Sequence, residues 1–461
     1  MRHYDALVIG SGPGGQKAAI QAAKLGKKVA IIEKGQFIGG AGLHTGTLPS
    51  KTLRETALLY AAYQQRGAFG LQVILNRDVA LSELMNRKTE VVRRQMEVIV
   101  DQFGRNNVEV IFGEASFLGP GRVRLKGSGG EEEIRADFII IATGSRPSRP
   151  PDVPFDTDHI YDSDTILALN RIPATMTIIG GGVIGCEYAC IFSAFGVKVT
   201  LVDKKARLLD FADNEIVMNL IYWMRHSGVT FRLEEEVVDI SVESPGRVLT
   251  RLKSGKSIVT EKLLYTMGRV GNSDGLCLDA IGIKADARGS IQVDVGFQTL
   301  APNVYAIGDV IGFPSLASVS MEQGRRAVCH AFQKEGITCE LPGLLPFGIY
   351  TIPEIAMVGE SEEALTRKGI PYEAGCAYFH EVARGQIIGD VHGMLKLLFD
   401  RVTRRILGVH IVGDRASELI HIGQAVMSYG GTIDYFKDAV FNYPTLSLAY
   451  KEAALNGFNK L

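Results

Sequence analysis

No apolar run in the 461 residues approaches the roughly 20 needed to cross a bilayer as a helix, so a membrane-spanning helical protein is excluded. Neither sign of charge dominates: 50 Lys and Arg stand against 51 Asp and Glu. Without a basic field, nucleic acid is not the natural partner. Cysteine is scarce, six in all, with no C-x-x-C pair and no His/Cys cluster. That excludes a disulfide scaffold and offers no metal-ligand spacing, so no metal is expected. The start, MRHYDALVIGSGPGG, runs as a strand into a turn and carries no cleavage region of a signal peptide. A reducing cytoplasm is the expected compartment.

Glycine, by contrast, is abundant, at 52 residues. Such an excess marks turns and close backbone approaches of the kind nucleotide-binding α/β folds need. The length exceeds one ordinary core, and more than one domain is expected. An internal repeat shows where the glycines act. DALVIGSGPGGQKAAIQAAKLGKKVAIIEK (5–34) and ATMTIIGGGVIGCEYACIFSAFGVKVTLVDK (174–204) align as strand, glycine turn, helix, strand and acid. Gly10 to Glu33 and Gly180 to Asp203 each span 23 positions. In each copy the first glycine, Gly10 or Gly180, permits the bend, and the second, Gly12 or Gly182, lets a pyrophosphate approach the backbone. The third, Gly15 or Gly185, lets the helix pack on the strand. The helix N-terminus attracts phosphate, and the acid accepts from ribose hydroxyls. One such turn is also found in other α/β folds; two with the same spacing imply two dinucleotide sites.

FIIIATGSRP (138–147) and NVYAIGDVIG (303–312) are further strands ending in small-residue turns. With the first repeat they resemble the FAD signatures of the pyridine nucleotide–disulfide oxidoreductase family. The resemblance covers essentially the whole chain. It implies an α/β protein with two Rossmann-like domains, for FAD and NAD(P), and a C-terminal α+β dimerisation domain. The implied division is 1–148 for FAD, 149–272 for NAD(P), 273–342 as a central domain completing the FAD site, and 343–461 as the interface domain. Pro-rich SRPSRPPDVP (145–154) and ELPGLLP (340–346) mark two boundaries by composition. FGIYTIPEIAMVGE and ILGVHIVGDRASELIHIGQAVM look like the elements that pair two subunits, so a homodimer, or a larger homo-oligomer, is implied. The pattern of 82–103 predicts an amphipathic helix with Ser82 as N-cap.

By the same resemblance, FAD falls to Gly10, Gly12, Gly15, Glu33, Lys34, Lys51, Thr143, Gly144, Asp309, Leu316 and Ala317. The nicotinamide nucleotide falls to Gly180, Gly182, Val183, Ile184, Gly185, Asp203, Lys204 and Gly268. Lys51 and Glu187 match a buried pair beside the flavin and are the catalytic candidates: a charged lysine there stabilises negative charge on reduced flavin, and a buried one needs a carboxylate partner. The other reading of Lys51 is a surface lysine. Val183 stands where some relatives place an aromatic gate, and is also an ordinary packing residue. The segment after Gly-Asp, FPSLASVSMEQGRRA, resembles the helix whose N-terminus faces the flavin.

One half of the family's chemistry is missing. Its disulfide reductases read G-G-x-C-x-x-x-x-C-x-P-S-K; here GGAGLHTGTLPSK (39–51) has Gly42 and Thr47 at the cysteines. Their His-Pro-Thr-x-x-Glu motif is replaced by FNYPTLSL, with Tyr443 at the His and Leu448 at the Glu. Cys186 and Cys190 lie four apart on the second dinucleotide helix and read as packing residues; Cys277, Cys329, Cys339 and Cys376 stand in plain contexts. His44 sits within the altered motif, either near the flavin or as polar filler. A flavin that accepts hydride with no dithiol behind it must return it to a soluble acceptor. HTGTLPSK, GGGVIGCEYACIF, GDVIGFPSLAS and FNYPT resemble in particular the soluble, Si-specific pyridine nucleotide transhydrogenases of the family, which implies ping-pong hydride transfer between NAD(H) and NADP(H). That subgroup usually keeps a cysteine at Gly42 and a glutamate at Leu448. Asp203 favours NAD over NADP, and Lys204, Lys205 and Arg207 either offset it or form a solvated edge. The alternatives are an NAD(P)H:quinone or acceptor reductase and a low-turnover dinucleotide-binding sensor.

Overall fold

The structure, a computed structural model, describes residues 2–65, 85–243, 246–336, 338, 341, 343–390 and 392–461. Ser82 and Cys339 lie outside them; the helix expected at 82–103 runs Asn86–Arg105.

The first sheet has seven strands. Arg2–Ile9 is apolar at alternate and then consecutive positions, as a strand covered on both faces must be. It pairs in parallel with Val29–Glu33 on one side and with the long strand Gly130–Ile141 on the other. Gly130–Ile141 is shared: its early half pairs antiparallel with Arg122–Gly127, and its end pairs in parallel with Val304–Ala306, a strand returning from far along the chain. The helices Pro13–Lys24 and Ala317–Ala331 pack against each other beside this sheet.

The second sheet repeats the plan. Its five strands are ordered Thr230–Leu233, Lys198–Asp203, Thr175–Ile179, Lys262–Tyr265, Ile160–Asp162, with every pair parallel. The helix Val183–Ala194 follows its glycine turn. A three-stranded antiparallel sheet, Val237–Glu243, Arg247–Leu252 and Ser257–Thr260, is inserted before the last strand. The C-terminal sheet is antiparallel throughout, in the order Phe347–Ile349, Glu354–Gly359, Ile406–Gly413, Met394–Asp400, Tyr372–Tyr378. Helices Ala416–Ser428 and Leu448–Phe458 pack on it.

The repeat read in the sequence is a repeat in space. Gly10 has φ +105° and Gly180 φ +107°, a region closed to side-chain-bearing residues. Each donates its N–H to the neighbouring strand at 2.8 Å, to Ile32 O and Val202 O. A Cβ on Gly15 would sit 2.0 Å from Gly10 O, and one on Gly185 1.8 Å from Gly180 O. Neither helix could approach its strand with any larger residue. Among the described residues, no helix is long and apolar enough to cross a membrane.

Candidate active site

A cavity of about 1360 Å³ opens between the first glycine turn, the helix Val183–Ala194 and the start of the C-terminal sheet. It gathers Gly10, Gly12, Glu33, Lys34, Lys51, Thr143, Gly144, Asp309, Leu316 and Ala317, together with Val183, Ile184 and Glu187. Gly15 is buried behind it, against Gly10. Gly180, Gly182, Gly185, Asp203, Lys204 and Gly268 are not among its lining; the first five form or follow the second glycine turn, and Gly268 is exposed beyond that sheet's strand Lys262–Tyr265.

Each part of the wall has a physical cause. Gly12 caps the helix Pro13–Lys24 without any side-chain bond, so the first-turn N–H groups stay free. A Cβ at Gly12 would meet nothing within 4 Å, so the open space there belongs to a ligand rather than to the protein. Glu33 Oε2 accepts from Ser11 N–H (3.1 Å) and Ser11 Oγ–H (2.5 Å), and Oε1 accepts from Gly35 N–H (2.7 Å), which locks acid to turn. Thr143 Oγ1 is buried with no partner, a state rare unless something else satisfies it. The helix Ala317–Ala331 begins at the cavity and has no side-chain cap. Two uncapped helix ends, an open glycine cradle, an orphan hydroxyl and an acid fit an anionic dinucleotide such as FAD.

Asp309 is held by a chain the sequence did not reveal. Its Oδ2 accepts from Ser145 Oγ–H at 2.7 Å, and Ser145 Oγ in turn accepts from Arg269 Nε–H at 2.8 Å. Arg269 also donates to Ser145 O (2.8 Å). The only sequence signal was the position of Ser145 directly after Thr143-Gly144.

Lys51 comes from the helix Thr47–Gln65 and Glu187 from the second glycine-turn helix, and they meet at 2.7 Å. Glu187 is buried; Lys51 keeps 27% of its side chain exposed. The second carboxylate oxygen, Oε1, accepts Tyr350 N–H at 2.9 Å, and the Lys51 ammonium lies 4.9 Å from the Tyr350 ring centroid. Three parts of the chain thus converge on one ion pair. Tyr350 lies in the stretch FGIYTIPEIAMVGE, read from the sequence only as an interface element, and its role here rests on a contact across 163 positions.

The second turn mirrors the first. Gly182 caps its helix with no side-chain bond, and a Cβ there would meet nothing within 4 Å. Asp203 accepts from Gly181 N–H and, through Oδ1, from Lys205 N–H (2.7 Å). Of the basic run, Lys205 pairs with Asp210 at 2.7 Å, Arg207 lies 3.9 Å from Glu363, and Lys204 is exposed.

Gly42 and Thr47 line the cavity, but no sulfur reaches it there. A side chain at Gly42 would begin 3.1 Å from Pro13 Cγ. Cys186 and Cys190 are free and buried, and burial pushes both thiols up, Cys190 to about 12. His44 turns away: its Nε2 bonds Ile38 O at 2.8 Å, the role of polar filler. Tyr443 is 68% exposed and does not line its own chain's cavity. Three carboxylates, of Asp213, Glu215 and Glu362, gather elsewhere, around the ammonium of Lys396.

Comparison with known proteins agrees with this layout. Residues 4–324 match the family described as pyridine nucleotide-disulphide oxidoreductase, and residues 345–454 match that family's dimerisation domain. The chain is 49% identical over 465 residues to the soluble pyridine nucleotide transhydrogenase of Mycobacterium bovis, covering 100% of this chain and 98% of that one. It is 45% identical over 463 residues to the protein of the same name from Yersinia enterocolitica, covering 100% and 99%. Among solved structures it resembles LpdA of Mycobacterium tuberculosis (TM-score 0.90, 27% identity, 99% of each chain). It also resembles the HOCl-induced flavoprotein disulfide reductase RclA of Escherichia coli (TM-score 0.88, 28% identity, 98% and 99%).

Proposed function

This chain belongs to the pyridine nucleotide–disulphide oxidoreductase family, and from that premise we infer that it is an enzyme moving hydride between NAD(H) and NADP(H) through FAD. The observation that carries the reading is the Lys51–Glu187 pair standing in a dinucleotide cavity from which both redox cysteines are gone. FAD supplies, when bound, the two-electron carrier between one nicotinamide nucleotide and the next.

The chain's own residues do the rest. The turn at Gly10–Gly12 and the helix end behind it would hold the FAD pyrophosphate, Glu33 its ribose, and Asp309, fixed by Ser145 and Arg269, the part beyond. The helix end at Leu316–Ala317 and the Lys51 ammonium bring positive charge to the place where reduction adds negative charge. Glu187, clamped by Tyr350 N–H, aims that ammonium. Val183 is small and leaves the adjoining slot open to a nicotinamide ring. The second turn, Gly180–Gly185 with Asp203, would hold that nucleotide's own phosphates and ribose. Positioning of two rings, rather than acid–base help, then accounts for the rate. In the same reading residues 1–148 form the FAD domain, 149–272 the nicotinamide domain, 273–342 the central domain and 343–461 the dimer interface. The match of residues 345–454 to the dimerisation domain supports a homodimer. Sparse cysteine, with no disulfide among the described residues, suits the cytoplasm.

The test is anaerobic stopped flow. The yellow holoenzyme is reduced with NADPH, and NAD or a quinone is then added. Reoxidation by NAD at catalytic speed is expected. Reoxidation by quinone alone would make the chain an acceptor reductase, and a flavin that NADPH does not bleach would make it a sensor.

A further inference from the structure

Lys396 has no exposed surface at all, yet it stands in the middle of a strand, Met394–Asp400, and carries a charge. Its ammonium contacts Asp213 at 3.1 Å, Glu215 at 2.9 Å, and Glu362. Burial pulls the ammonium's pKa down, but the hydrogen bonds and charges of those carboxylates outweigh it and hold it above its ordinary value. Two of the partners, Asp213 and Glu215, begin the helix Asn214–His226 of the second nucleotide-binding unit; Glu362 begins the helix Glu362–Lys368 of the C-terminal unit. Asp213 further accepts Glu215 N–H (3.2 Å) and Glu362 N–H (3.4 Å), and Asn214 N–H donates to Glu363 at 3.0 Å. A junction that needed only packing would do as well with apolar side chains, since taking the charges of Lys396 and Asp213 wholly out of water is costly. What directed charges add is one fixed geometry.

What they fix is a short span of chain. It leaves the second nucleotide turn at Asp203 and ends on Asp213. Along it, Phe211 lines the cavity and packs edge-on to Phe347 of the C-terminal sheet, with ring centroids 5.3 Å apart. We propose that Lys396 is a positioning residue for the nicotinamide nucleotide: through Asp213 it holds Phe211 against Phe347, so that the two rings wall the slot the nucleotide enters. The proposal rests on reading that end of the cavity as the nicotinamide slot.

The experiment uses the full-length holoenzyme with its FAD. Lys396→Met, Lys396→Arg, Phe211→Ala and the double variant Lys396→Met/Phe211→Ala are compared for FAD content, for the dissociation constants of NADH and NADPH, and for kcat and KM. Lys396→Met should raise KM and both dissociation constants about tenfold while kcat changes little, the mark of lost uniform binding. Lys396→Arg should recover part of this, and Phe211→Ala should reproduce it. The double variant should be no worse than either single one, because both act through one contact. Wild-type nucleotide affinity in Lys396→Met or Phe211→Ala, or full additivity, overturns the proposal. Should Lys396→Met fail to fold, Phe211→Ala, Phe347→Ala and their double variant decide it: wild-type affinity in Phe211→Ala or full additivity refutes it, and a loss in the double variant smaller than the sum of the two singles supports it. A wild-type holoenzyme that binds neither NADH nor NADPH would instead remove the functional reading on which this one stands.

Discussion

Lys51 and Glu187 come from helices 136 positions apart and meet at 2.7 Å, with Glu187's other oxygen tied to the Tyr350 backbone. The ammonium is thereby held in the wall of the cavity. Lys51→Met should leave FAD bound but slow its reduction by NADPH about 100-fold, the scale of a lost electrostatic stabiliser. Glu187 is then left buried without its countercharge. Because Lys51 is partly exposed, the expected loss of stability is about 2 kcal/mol, less than for a fully buried pair. Lys51→Arg should restore a share of both. Stopped-flow absorbance and thermal melting read the two effects, and a wild-type reduction rate in Lys51→Met would contradict the role given to it.

The two glycine cradles can be told apart by substitutions that cost the protein nothing sterically. Neither Gly12 nor Gly182 has any atom within 4 Å of where a Cβ would stand. Gly12→Ala should keep its melting behaviour as apoprotein yet bind FAD at least tenfold more weakly, since the methyl occupies ligand space. Gly182→Ala should keep its FAD and show a raised KM for both nicotinamide nucleotides. Exchanged results would reverse the assignment of the two turns.

The parts legible in the sequence were those fixed by local spacing. The turns at Gly10 and Gly180 and their acids are short-range patterns, and each lies where its spacing put it; the loss of sulfur at Gly42 and Thr47 was legible only through the resemblance to the family's motif. Lys51 and Glu187 were paired only by resemblance, because no periodicity links positions so far apart. Ser145, Arg269, Tyr350 and Lys396 were missed for the same reason. Each acts through a contact formed when separate units dock, and an isolated serine or lysine has no pattern to announce it. The basic run after Asp203 left two readings open, an offset to that acid or a solvated edge, because spacing alone does not say where long side chains turn; Lys204 is exposed, and Lys205 and Arg207 turn to acids of their own.

Thiol chemistry should be irrelevant to turnover. Cys186 and Cys190 sit on the face of the second dinucleotide helix away from water, and burial pushes both thiols up, so neither forms the thiolate that alkylation requires. Cys376 is pushed up to about 11 by burial first of all. Cys277, in contrast, is exposed. Iodoacetamide at neutral pH should therefore label Cys277 ahead of Cys186, Cys190 and Cys376 and leave hydride transfer unchanged, as read by peptide mass spectrometry and a parallel assay. Turnover of glutathione disulfide or dihydrolipoamide, or inactivation in step with labelling of Cys186 or Cys190, would restore a sulfur relay and remove the central premise.

Acid should destabilise the fold sooner than its carboxylates alone would allow. His410 is buried, and burial holds its imidazole below the ordinary 6.5 even though Asp213 pulls the other way. Its Nε2 bonds Glu360 O at 2.9 Å, while Nδ1 is buried with no partner. His392, with its ring centroid 3.6 Å from that of Trp223, is lowered by burial and by the neighbouring charges of His226 and His380, against the pull of Asp390. Well above pH 6.5 both histidines are neutral in the folded and unfolded chains, and stability has no slope from them. As pH falls below 6.5 the unfolded chain takes up protons that the folded chain refuses, so stability falls with pH, by at most about 1.4 kcal/mol per unit for each histidine. Further down, the carboxyls of Asp164 and Asp414, raised mainly by burial, take up protons more readily when folded and oppose the trend. Melting temperature should therefore drop between pH 7.5 and 5.5, and His410→Gln, which has nothing to titrate, should drop less over the same range. Equal melting at the two pH values in the wild type, or a steeper fall in His410→Gln, would show that the unpartnered nitrogen of His410 is not the group that resists the proton.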